Sequence, residues 1–287
     1  MEIAVISGKG GTGKSSISAA FATLSEKVVL ADCDVDAANL YILFNPTHEE
    51  EQVYIGGQKA EINYSLCKNC SLCIDYCRFG AISFLNDKVI ISETSCDGCK
   101  LCSRICPTEA ITMINSDKSR MYAGTFRNGK MVYGRLAPGE ENSGKLVNIV
   151  RDKAKTIAKA ENIETIIIDG PPGIGCPVIS TITGVDHVLI VTEPTISGMH
   201  DLKRTIEITS KFNLKAWVII NKYDLNYEMA KQIEDYCNSI NISVAGKLLF
   251  DPHVIEAMVN CKSVVEYAPK SDFATELQTV YNLITNK

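Results

Sequence analysis

Residues 8–15 read Gly8-Lys9-Gly10-Gly11-Thr12-Gly13-Lys14-Ser15. They follow an apolar, β-branched run from Glu2 to Ser7 and lead into a helix-compatible segment that starts at Ser16. A strand, a glycine loop and a helix in this order, with the pattern G-x-x-x-x-G-K-[ST], indicate a phosphate-binding loop. Glycines let backbone N–H groups close around phosphate oxygens, and the helix directs its positive N-terminus at the same anion.

The polar side chains of this loop predict a nucleoside triphosphate with Mg²⁺. Lys14 stands where a lysine reaches the β- and γ-phosphates, and Ser15 stands where a hydroxyl binds Mg²⁺. We therefore expect Gly8 to Ser16 to form the phosphate site. The alternative is a glycine-rich turn without a ligand, but the flanking strand and helix favour the phosphate site.

The bulk composition is that of a globular protein with one large or two modest domains. The chain has 287 residues, of which 46% are hydrophobic and 22% charged. A net charge of −5 argues against nucleic acid as the main partner. No apolar run approaches the roughly 20 residues that cross a bilayer. The N-terminus enters a strand without a signal-type segment, so we expect a cytoplasmic protein without a membrane anchor.

Short β-branched runs alternate with segments of helical period, which predicts a doubly wound, mostly parallel α/β sheet. In such sheets ligands bind beyond the carboxyl ends of the strands, and the polar motifs of this chain follow strands accordingly. The predicted strands are Ile3–Ile6, Val28–Ala31, Thr165–Ile168, His187–Val191, Ala216–Ile220 and Val244–Phe250, and the predicted helices include Leu146–Ala160, Met199–Phe212 and Tyr227–Ile240.

Three carboxylates follow the second predicted strand as Asp32-Cys33-Asp34-Val35-Asp36. If the segment stays extended, its alternating carboxylates lie on one side, where they would hold Mg²⁺ or its waters. The alternative is a set of acidic turn residues at a solvated edge. Asp169 ends a later strand and opens the sequence Asp169-Gly170-Pro171-Pro172-Gly173.

The second lysine of the loop, Lys9, makes the chain similar to the MinD/ParA/nitrogenase-iron-protein class of ATPases. The resemblance implies that Lys9 reaches the partner's phosphates in a homodimer that forms with ATP. It also implies a role in hydrolysis for Asp34 and a position near Mg²⁺ for Asp169. The alternative for Lys9 is a solvated surface charge.

The same resemblance implies contacts with the base from Asn221 and Asp224, and it places the Phe250-Asp251-Pro252 turn beside adenine. Residues 221–224 read N-K-x-D, which also resembles the guanine-reading motif of GTPases. We expect ATP, because the Lys9-type loop belongs to ATP-using proteins of this class.

Eight of the twelve cysteines form two copies of the pattern C-x2-C-x2-C-x3-C, and the second copy follows the first at an offset of 29 residues. The pattern resembles the bacterial two-cluster ferredoxin, in which each 4Fe–4S cluster takes three thiolates from one repeat and a fourth from the other. Two zinc sites are the alternative, which suits this spacing less well. The resemblance implies Cys67, Cys70, Cys73 and Cys106 as ligands of cluster 1, and Cys77, Cys96, Cys99 and Cys102 as ligands of cluster 2.

These motifs predict a P-loop NTPase fold with an inserted α+β ferredoxin-like domain. The expected boundaries are 1–60 for the first part of the ATPase domain, 61–115 for the insert and 116–287 for the second part. The expected cofactors are ATP, Mg²⁺ and two 4Fe–4S clusters.

The expected function is a dimeric ATPase switch, slow and partner-stimulated, that gates electron transfer to a redox protein. One alternative is an iron–sulfur assembly or carrier ATPase that hands a cluster to an acceptor protein. Another is a nucleotide-switched binding module with negligible turnover.

Overall fold

Apolar strands alternate with helices along much of the chain, of which this computed structural model describes residues 1–212 and 214–286. The strands of this part are β1 (Glu2–Ser7), β2 (Val28–Asp32), β3 (Glu50–Tyr54), β4 (Gln58–Ile62), β5 (Ile82–Leu85), β6 (Lys88–Ile91), β7 (Ile111–Asn115), β8 (Ser119–Phe126), β9 (Gly129–Arg135), β10 (Thr165–Pro172), β11 (His187–Thr192), β12 (Lys215–Asn221) and β13 (Ser243–Leu248). The helices are α1 (Lys14–Leu24), α2 (Leu40–Phe44), α3 (Leu72–Asp75), α4 (Leu101–Ile105), α5 (Ser143–Ala160), α6 (Cys176–Ile182), α7 (Ile196–Ser210), α8 (Tyr227–Ser239), α9 (His253–Val259), α10 (Val264–Tyr267) and α11 (Asp272–Thr285).

The described residues form two units. The first consists of residues 1–51, 121–134 and 144 onward, and the second of residues 52–120 and 135–143. The predicted insert, 61–115, falls within the second unit, which extends further at both ends and includes a segment beyond the β8–β9 hairpin. As a functional division, the boundaries 1–60, 61–115 and 116–287 stay a prediction.

The central sheet has the strand order β13-β12-β11-β1-β10-β2-β9-β8-β3. Neighbouring strands from β13 to β9 run parallel, which confirms the predicted α/β fold with a mostly parallel sheet. The chain proceeds from β1 to β2 on one side and from β11 to β13 on the other. The carboxyl end of β1 therefore lies where the strand order reverses, which is where such sheets bind ligands.

The parallel strands are apolar along their length because helices cover the sheet. The residues Ile3 to Ile6 of β1 are completely buried, as expected for a strand covered on both faces. Helix α11 buries Phe273, Leu277, Val280 and Ile284, as its helical spacing predicted. The first unit thus has one large core around β1.

Several element boundaries differ by a few residues from the prediction, and in two of them a side chain that binds the backbone gives the reason. Strand β13 ends at Leu248 and not at Phe250, since the Phe250 N–H donates to the Asp224 carboxylate over 2.7 Å. Helix α7 starts at Ile196 and not at Met199, since the Thr195 hydroxyl accepts a hydrogen bond from the Gly198 N–H. Both contacts are made by short polar side chains, which the spacing of apolar residues does not predict.

The second unit repeats one backbone arrangement at the offset of 29 seen in its cysteines. Strand β4 pairs antiparallel with β7, and β5 pairs antiparallel with β6. Each pair joins a strand of one repeat to a strand of the other, and the two pairings have the same register under the offset of 29. The Asn63 N–H donates to the Ala110 carbonyl, and the Ser92 N–H donates to the Ala81 carbonyl, both over 2.7 Å. Equivalent positions also share the left-handed conformation, namely Asn69 and Gly98, Ser71 and Lys100, and Gly80 and Glu109.

Replacement of Arg151 is expected to destabilise the first unit strongly. Its buried guanidinium donates to the Ser180 and Thr183 carbonyls over 2.6 and 2.8 Å and pairs with Glu2 over 2.9 Å. Arg151→Met leaves the Glu2 carboxylate and both carbonyls without this partner, so we expect the free energy of unfolding to fall by about 3 kcal/mol. Chemical denaturation followed by circular dichroism measures this loss.

The matched control is Lys211→Met, because Lys211 pairs with Glu207 on the exposed face of α7. An exposed ion pair contributes little, so this variant is expected to unfold close to the wild type. Equal losses in the two variants would contradict the assignment of a structural role to Arg151.

Candidate functional site

The glycine loop follows β1, and the helix α1 starts directly at Lys14. Gly13 precedes the helix in the left-handed conformation, with φ of 89°, which favours glycine. A Cβ atom at Gly13 would also collide with the Asn221 amide nitrogen. The sequence therefore requires glycine here for two reasons, and the backbone N–H groups at the start of α1 face the cleft.

Lys14 is buried among carboxylates. Its ammonium lies 3.4 Å from Asp34 and 3.6 Å from Asp169. Burial lowers the pKa of Lys14, but the charges of Asp169, Asp34 and Asp32 outweigh that effect, so its pKa is raised. The structure thus holds a fully charged lysine beside the glycine loop, where it is able to bind anionic oxygens.

Asp169 lies within β10 and contacts the loop. The prediction that it ends its strand was wrong, because β10 continues through Gly170 to Pro172. The Ser15 and Ser18 hydroxyls donate to its two carboxylate oxygens over 2.7 and 2.8 Å. The predicted Mg²⁺ ligand Ser15 and the predicted Mg²⁺-associated carboxylate are therefore in direct contact. Hydroxyl and carboxylate oxygens are the donors that Mg²⁺ prefers, so this pair fits the ion.

The three carboxylates after β2 do not form one row. The strand ends at Asp32, so the alternation expected of an extended segment stops there. Asp32 is completely buried and accepts from the N–H groups of Asp34, Asn39 and Leu40. Burial and the charge of Asp169 raise the pKa of Asp32 to about 7. The prediction of a shared side was wrong: Asp32 holds the backbone, while Asp34 and Asp36 line the cleft.

Lys9 is held within its own chain in this structure. Its ammonium lies 3.4 Å from the Glu193 carboxylate and 3.3 Å from the hydroxyls of Thr195 and Ser197. Glu193 also accepts from Lys222 over 2.6 Å. The predicted reach of Lys9 to a partner's phosphate would require this contact to open.

The predicted base-contacting residues have well-defined partners. Asn221 donates to the Thr12 carbonyl over 2.8 Å and accepts from the Lys222 N–H over 3.0 Å, so its buried amide supports the glycine loop from behind. The Asp224 carboxylate fastens the Phe250 N–H, and Pro252 precedes α9 at the surface. Their contact with a base stays a prediction.

An open cleft of about 580 Å³ connects the loop with both acidic segments. Its walls include residues that the sequence motifs did not point to, because they are apolar or neutral and lie far apart along the chain. These residues are Ala37, Asn39, Gly175, Pro177 and Met258, and they lie beside Pro171 and Pro172 of the predicted glycine–proline motif.

The polar groups of the loop suit a phosphate ligand. The Thr12 hydroxyl oxygen is buried without a hydrogen-bond partner within residues 1–212 and 214–286. Such groups cost free energy unless something binds them. Together with the charged Lys14 and the start of α1, this hydroxyl is a suitable ligand for a nucleotide phosphate.

Cys73 of the second unit lies among the other thiols predicted for cluster 1. Burial raises the pKa of the Cys73 thiol, and the nearby sulfurs of Cys70, Cys106 and Cys67 raise it further. Cys106 comes from the other repeat, and its sulfur accepts from the Ala110 N–H over 3.3 Å. Burial by itself would raise the pKa of Cys106. Hydrogen bonds to its sulfur have the larger effect and lower the pKa; they come from the backbone N–H groups of residues 108, 110 and 111 and from the hydroxyl of residue 108.

All four cysteines predicted for cluster 2 line one small cavity. Cys77 reaches it from the first repeat, while the other three, Cys96, Cys99 and Cys102, come from the second. Apolar side chains of Ile82, Ile91 and Met113 form much of the remaining wall. An apolar, cysteine-lined cavity with ligands from both repeats fits an iron–sulfur cluster.

In residues 1–212 and 214–286, no three His, Cys, Asp or Glu side chains converge on a point as ligands of one metal ion would. The four thiolates of a 4Fe–4S cluster each bind a different iron. These thiolates therefore lie farther apart than the ligands of a single ion, so the cysteines of such a cluster need not point at one common position.

The family model for the CobQ/CobB/MinD/ParA nucleotide-binding domain matches residues 3–264. The chain belongs to this family, and it is a P-loop ATPase of the MinD/ParA type. The prediction of an ATPase is thereby confirmed, and ATP with Mg²⁺ is the nucleotide expected for it.

Relatives in Methanocaldococcus jannaschii match most of the chain. One uncharacterized protein is 42% identical over 229 residues, which is 79% of each chain. A second is 29% identical over 282 residues, or 96% of each chain. An uncharacterized ATP-binding protein is 24% identical over 285 residues, which covers 97% of this chain and 85% of that protein.

Solved structures of MinD and ParA proteins share the fold. The cell division ATPase MinD of Pyrococcus furiosus matches with a TM-score of 0.57 and 18% identity, covering 99% of this chain and 98% of that one. A ParA family ATPase from Chlorobium tepidum matches with a TM-score of 0.57 and 17% identity, covering 98% of both chains. Within the residues described, no helix is both long and apolar enough to span a bilayer.

Replacement of Asn221 separates support of the loop from recognition of the base. Asn221→Ala leaves the Thr12 carbonyl without its donor and opens space behind Gly13, so we expect ATP affinity to fall about tenfold, or about 1.4 kcal/mol. If Asn221 acts through the loop, ATP and GTP lose affinity by the same factor. Fluorescence titration with labelled ATP and GTP measures both affinities.

The control is Asn226→Ala, which removes only the side-chain cap of α8. Its nucleotide affinity is expected to equal that of the wild type. A loss confined to one nucleotide in Asn221→Ala would contradict loop support and indicate contact with the base.

Proposed function

We propose that the protein is an ATP-driven, dimeric switch whose nucleotide state is coupled to two 4Fe–4S clusters and gates electron transfer to a partner protein. The observation that carries the proposal is the cavity lined by Cys77, Cys96, Cys99 and Cys102 in the chain of a P-loop ATPase. The domain division at 61–115 is part of the proposal.

In the nucleotide site, Lys14 would bind the β- and γ-phosphates, and Ser15 and Asp169 would hold Mg²⁺, which would neutralise phosphate charge there. Asp34 orients the attacking water, since its carboxylate lies beside Lys14 at the edge of the cleft. Burial raises the pKa of Asp34 and outweighs the lowering by Lys14. That balance suits a carboxylate that accepts a proton during hydrolysis.

Dimer formation with ATP requires Lys9 to exchange its own Glu193 for the phosphates of the opposite protomer. A triphosphate carries more negative charge than one carboxylate, so the exchange is favourable when ATP occupies the partner site. This contact makes the closed dimer depend on the bound nucleotide.

In the second unit, Cys67, Cys70, Cys73 and Cys106 would hold one cluster, and Cys77, Cys96, Cys99 and Cys102 the other. When bound, such clusters supply transfer of single electrons from a low-potential donor to an acceptor protein. The backbone N–H donors around Cys106 would stabilise negative charge on the ligand sulfurs. The chain thus offers each cluster ligands from both repeats.

Coupling has a direct covalent route through the chain. Residues 33–51 connect Asp34, at the nucleotide, with the start of the second unit at Gln52. Loops that contact a γ-phosphate change their order when it leaves. The proposal fails if, in a reconstituted system with an electron donor, the ATPase rate and the redox state of the clusters do not affect each other.

A second candidate is an iron–sulfur carrier ATPase, favoured by the exposure of Cys70 and Cys99 at the surface of the second unit. Retention of both clusters through rounds of ATP turnover supports the switch, whereas transfer of a cluster to an apo-acceptor supports the carrier. A binding module with negligible turnover is the third candidate, and the ATPase rate distinguishes it.

Loss of a cysteine from one repeat is expected to disable the cluster of the other repeat. Anaerobically reconstituted wild type should contain about eight iron and eight sulfide atoms per chain, as two 4Fe–4S clusters require. Cys106→Ser should lose about half of both and the EPR signal of cluster 1. Iron and sulfide analysis with EPR measures the result.

Cys261→Ser is the control, since Cys261 is an exposed cysteine of the first unit. It should keep the full iron content. A wild-type protein without iron, or a Cys106→Ser variant with unchanged clusters, would overturn the assignment of ligands.

Replacement of Asp34 is expected to separate ATP binding from hydrolysis. Asp34→Asn keeps the size of the side chain and removes its charge, so ATP still binds while turnover falls by about 100-fold or more. Lys14→Ala is the comparison variant, and it should lose binding itself. Equilibrium binding and phosphate release measure the two steps, and unchanged turnover in Asp34→Asn would exclude Asp34 from catalysis.

A further inference from the structure

Lys59 is a buried lysine that the nucleotide site does not use. It lies on β4, where the alternate residues Ala60 and Ile62 face the core of the second unit and Glu61 is exposed. Lys59 nevertheless has only 5% of its surface exposed. A charged group taken out of water needs compensating partners, so the surroundings of this ammonium are informative.

The partners of the Lys59 ammonium are backbone carbonyls. It donates to the Cys96 carbonyl over 2.6 Å and to the Gly139 carbonyl over 2.5 Å. Within residues 1–212 and 214–286, no carboxylate lies within ion-pair distance of it. Two neutral acceptors satisfy the hydrogen bonds of the ammonium but do not neutralise its charge. The charge of Lys59 also acts to lower the pKa of the exposed Glu141, which is not within ion-pair distance.

The groups around Lys59 have mixed charge. Asp97, Glu140, Glu141 and Lys100 line the same open depression as Lys59. The Glu141 carboxyl has a raised pKa, mainly because it hydrogen-bonds to Asp97, so these two acids are engaged with each other. Glu141 is exposed, so water screens its interaction with Lys59, whereas the hydrogen bond to the Cys96 carbonyl holds the ammonium beside a cysteine predicted for cluster 2.

We propose that the Lys59 ammonium raises the reduction potential of the cluster held by Cys77, Cys96, Cys99 and Cys102, and so makes the two clusters of the chain unequal. This inference rests on the proposed function. A cluster with four thiolates is anionic and gains one more negative charge on reduction, so a buried cation nearby stabilises the reduced form more than the oxidised form.

The other repeat supplies the comparison inside the same chain. Lys88 lies 29 residues after Lys59, and the strand pairs Lys59 with Ile114 and Lys88 with Leu85 are equivalent under the same offset. Lys88, however, is exposed and lies over the Tyr64 ring, 5.6 Å from its centre. Water screens an exposed ammonium, so Lys88 has little effect on cluster 1.

The difference comes from the segment that covers β4. Gly139 supplies one of the two carbonyls to Lys59, and it belongs to residues 135–143, which follow the β8–β9 hairpin. The duplicated sequence ends before this segment, so among the described residues a buried lysine stands beside the second proposed cluster and not beside the first. The two sites therefore differ in charge although their ligands are identical.

The test measures the midpoint potentials of both clusters in the reconstituted full-length protein, by anaerobic potentiometric titration followed by EPR. Lys59→Gln removes the charge but keeps a hydrogen-bond donor, and Lys59→Arg keeps the charge. We expect Lys59→Gln to lower the potential of cluster 2 alone, and Lys59→Arg to stay close to the wild type. The signal that disappears in Cys70→Ser identifies cluster 1.

Lys88→Gln is the matched control, with the same substitution at the equivalent position, and both of its potentials should equal those of the wild type. The inference is overturned if Lys59→Gln leaves both potentials unchanged, if Lys59→Arg shifts cluster 2 by the same amount, or if Lys88→Gln shifts cluster 1 equally. Loss of cluster 2 from both Lys59 variants overturns it too, because Lys59 would then be structural. Wild-type protein without iron overturns the proposed function instead.

Discussion

The nucleotide site depends on one buried cation, the Lys14 ammonium, that offsets several carboxylates. Asp32, the last residue of β2, is paired with Asp169 of the neighbouring parallel strand β10, and Asp34 follows two residues after Asp32. Without Lys14 the charges of these acids would repel in a space from which water is excluded. The same concentration of carboxylate and hydroxyl oxygen attracts a divalent cation, so the cost of holding the acids together is linked to the binding of Mg²⁺.

The second unit depends on a different constraint, which is the exchange between two copies of one motif. Strand β4 of the first repeat pairs with β7 of the second, and Cys77 and Cys106 reach the cysteines of the opposite repeat. Neither repeat can complete its strand pairing or its proposed ligand set alone. A fault in one repeat is therefore transmitted to the other, which makes the unit cooperative.

Both units bring charges to places where a ligand's charge changes. In the first, hydrolysis removes the γ-phosphate that Lys14 and Lys9 are proposed to bind. In the second, reduction of the proposed cluster would add an electron near Lys59. Buried lysines respond strongly to such changes because little solvent screens them. The proposed switch thus uses the same physical means in both units, namely a desolvated ammonium beside a ligand whose negative charge changes.

Local sequence accounted for the phosphate loop, the alternation of strands and helices, and the cysteine spacing, because each depends on neighbours along the chain. It misjudged the carboxylates after β2, since the strand ends at Asp32 and the turn that follows directs Asp34 and Asp36 differently. It also gave no indication of Met258 in the cleft, because an apolar residue on a late helix has no local signature.

The sequence by itself therefore determined which chemical groups the protein has and which loops carry them. Only the tertiary structure decided which of them meet. It enclosed Lys59 against the Cys96 carbonyl and left Lys88 exposed, and it held Lys9 on Glu193. Burial and charge environment arise from segments far apart in the chain, and for that reason identical residues in a duplicated sequence acquire different properties.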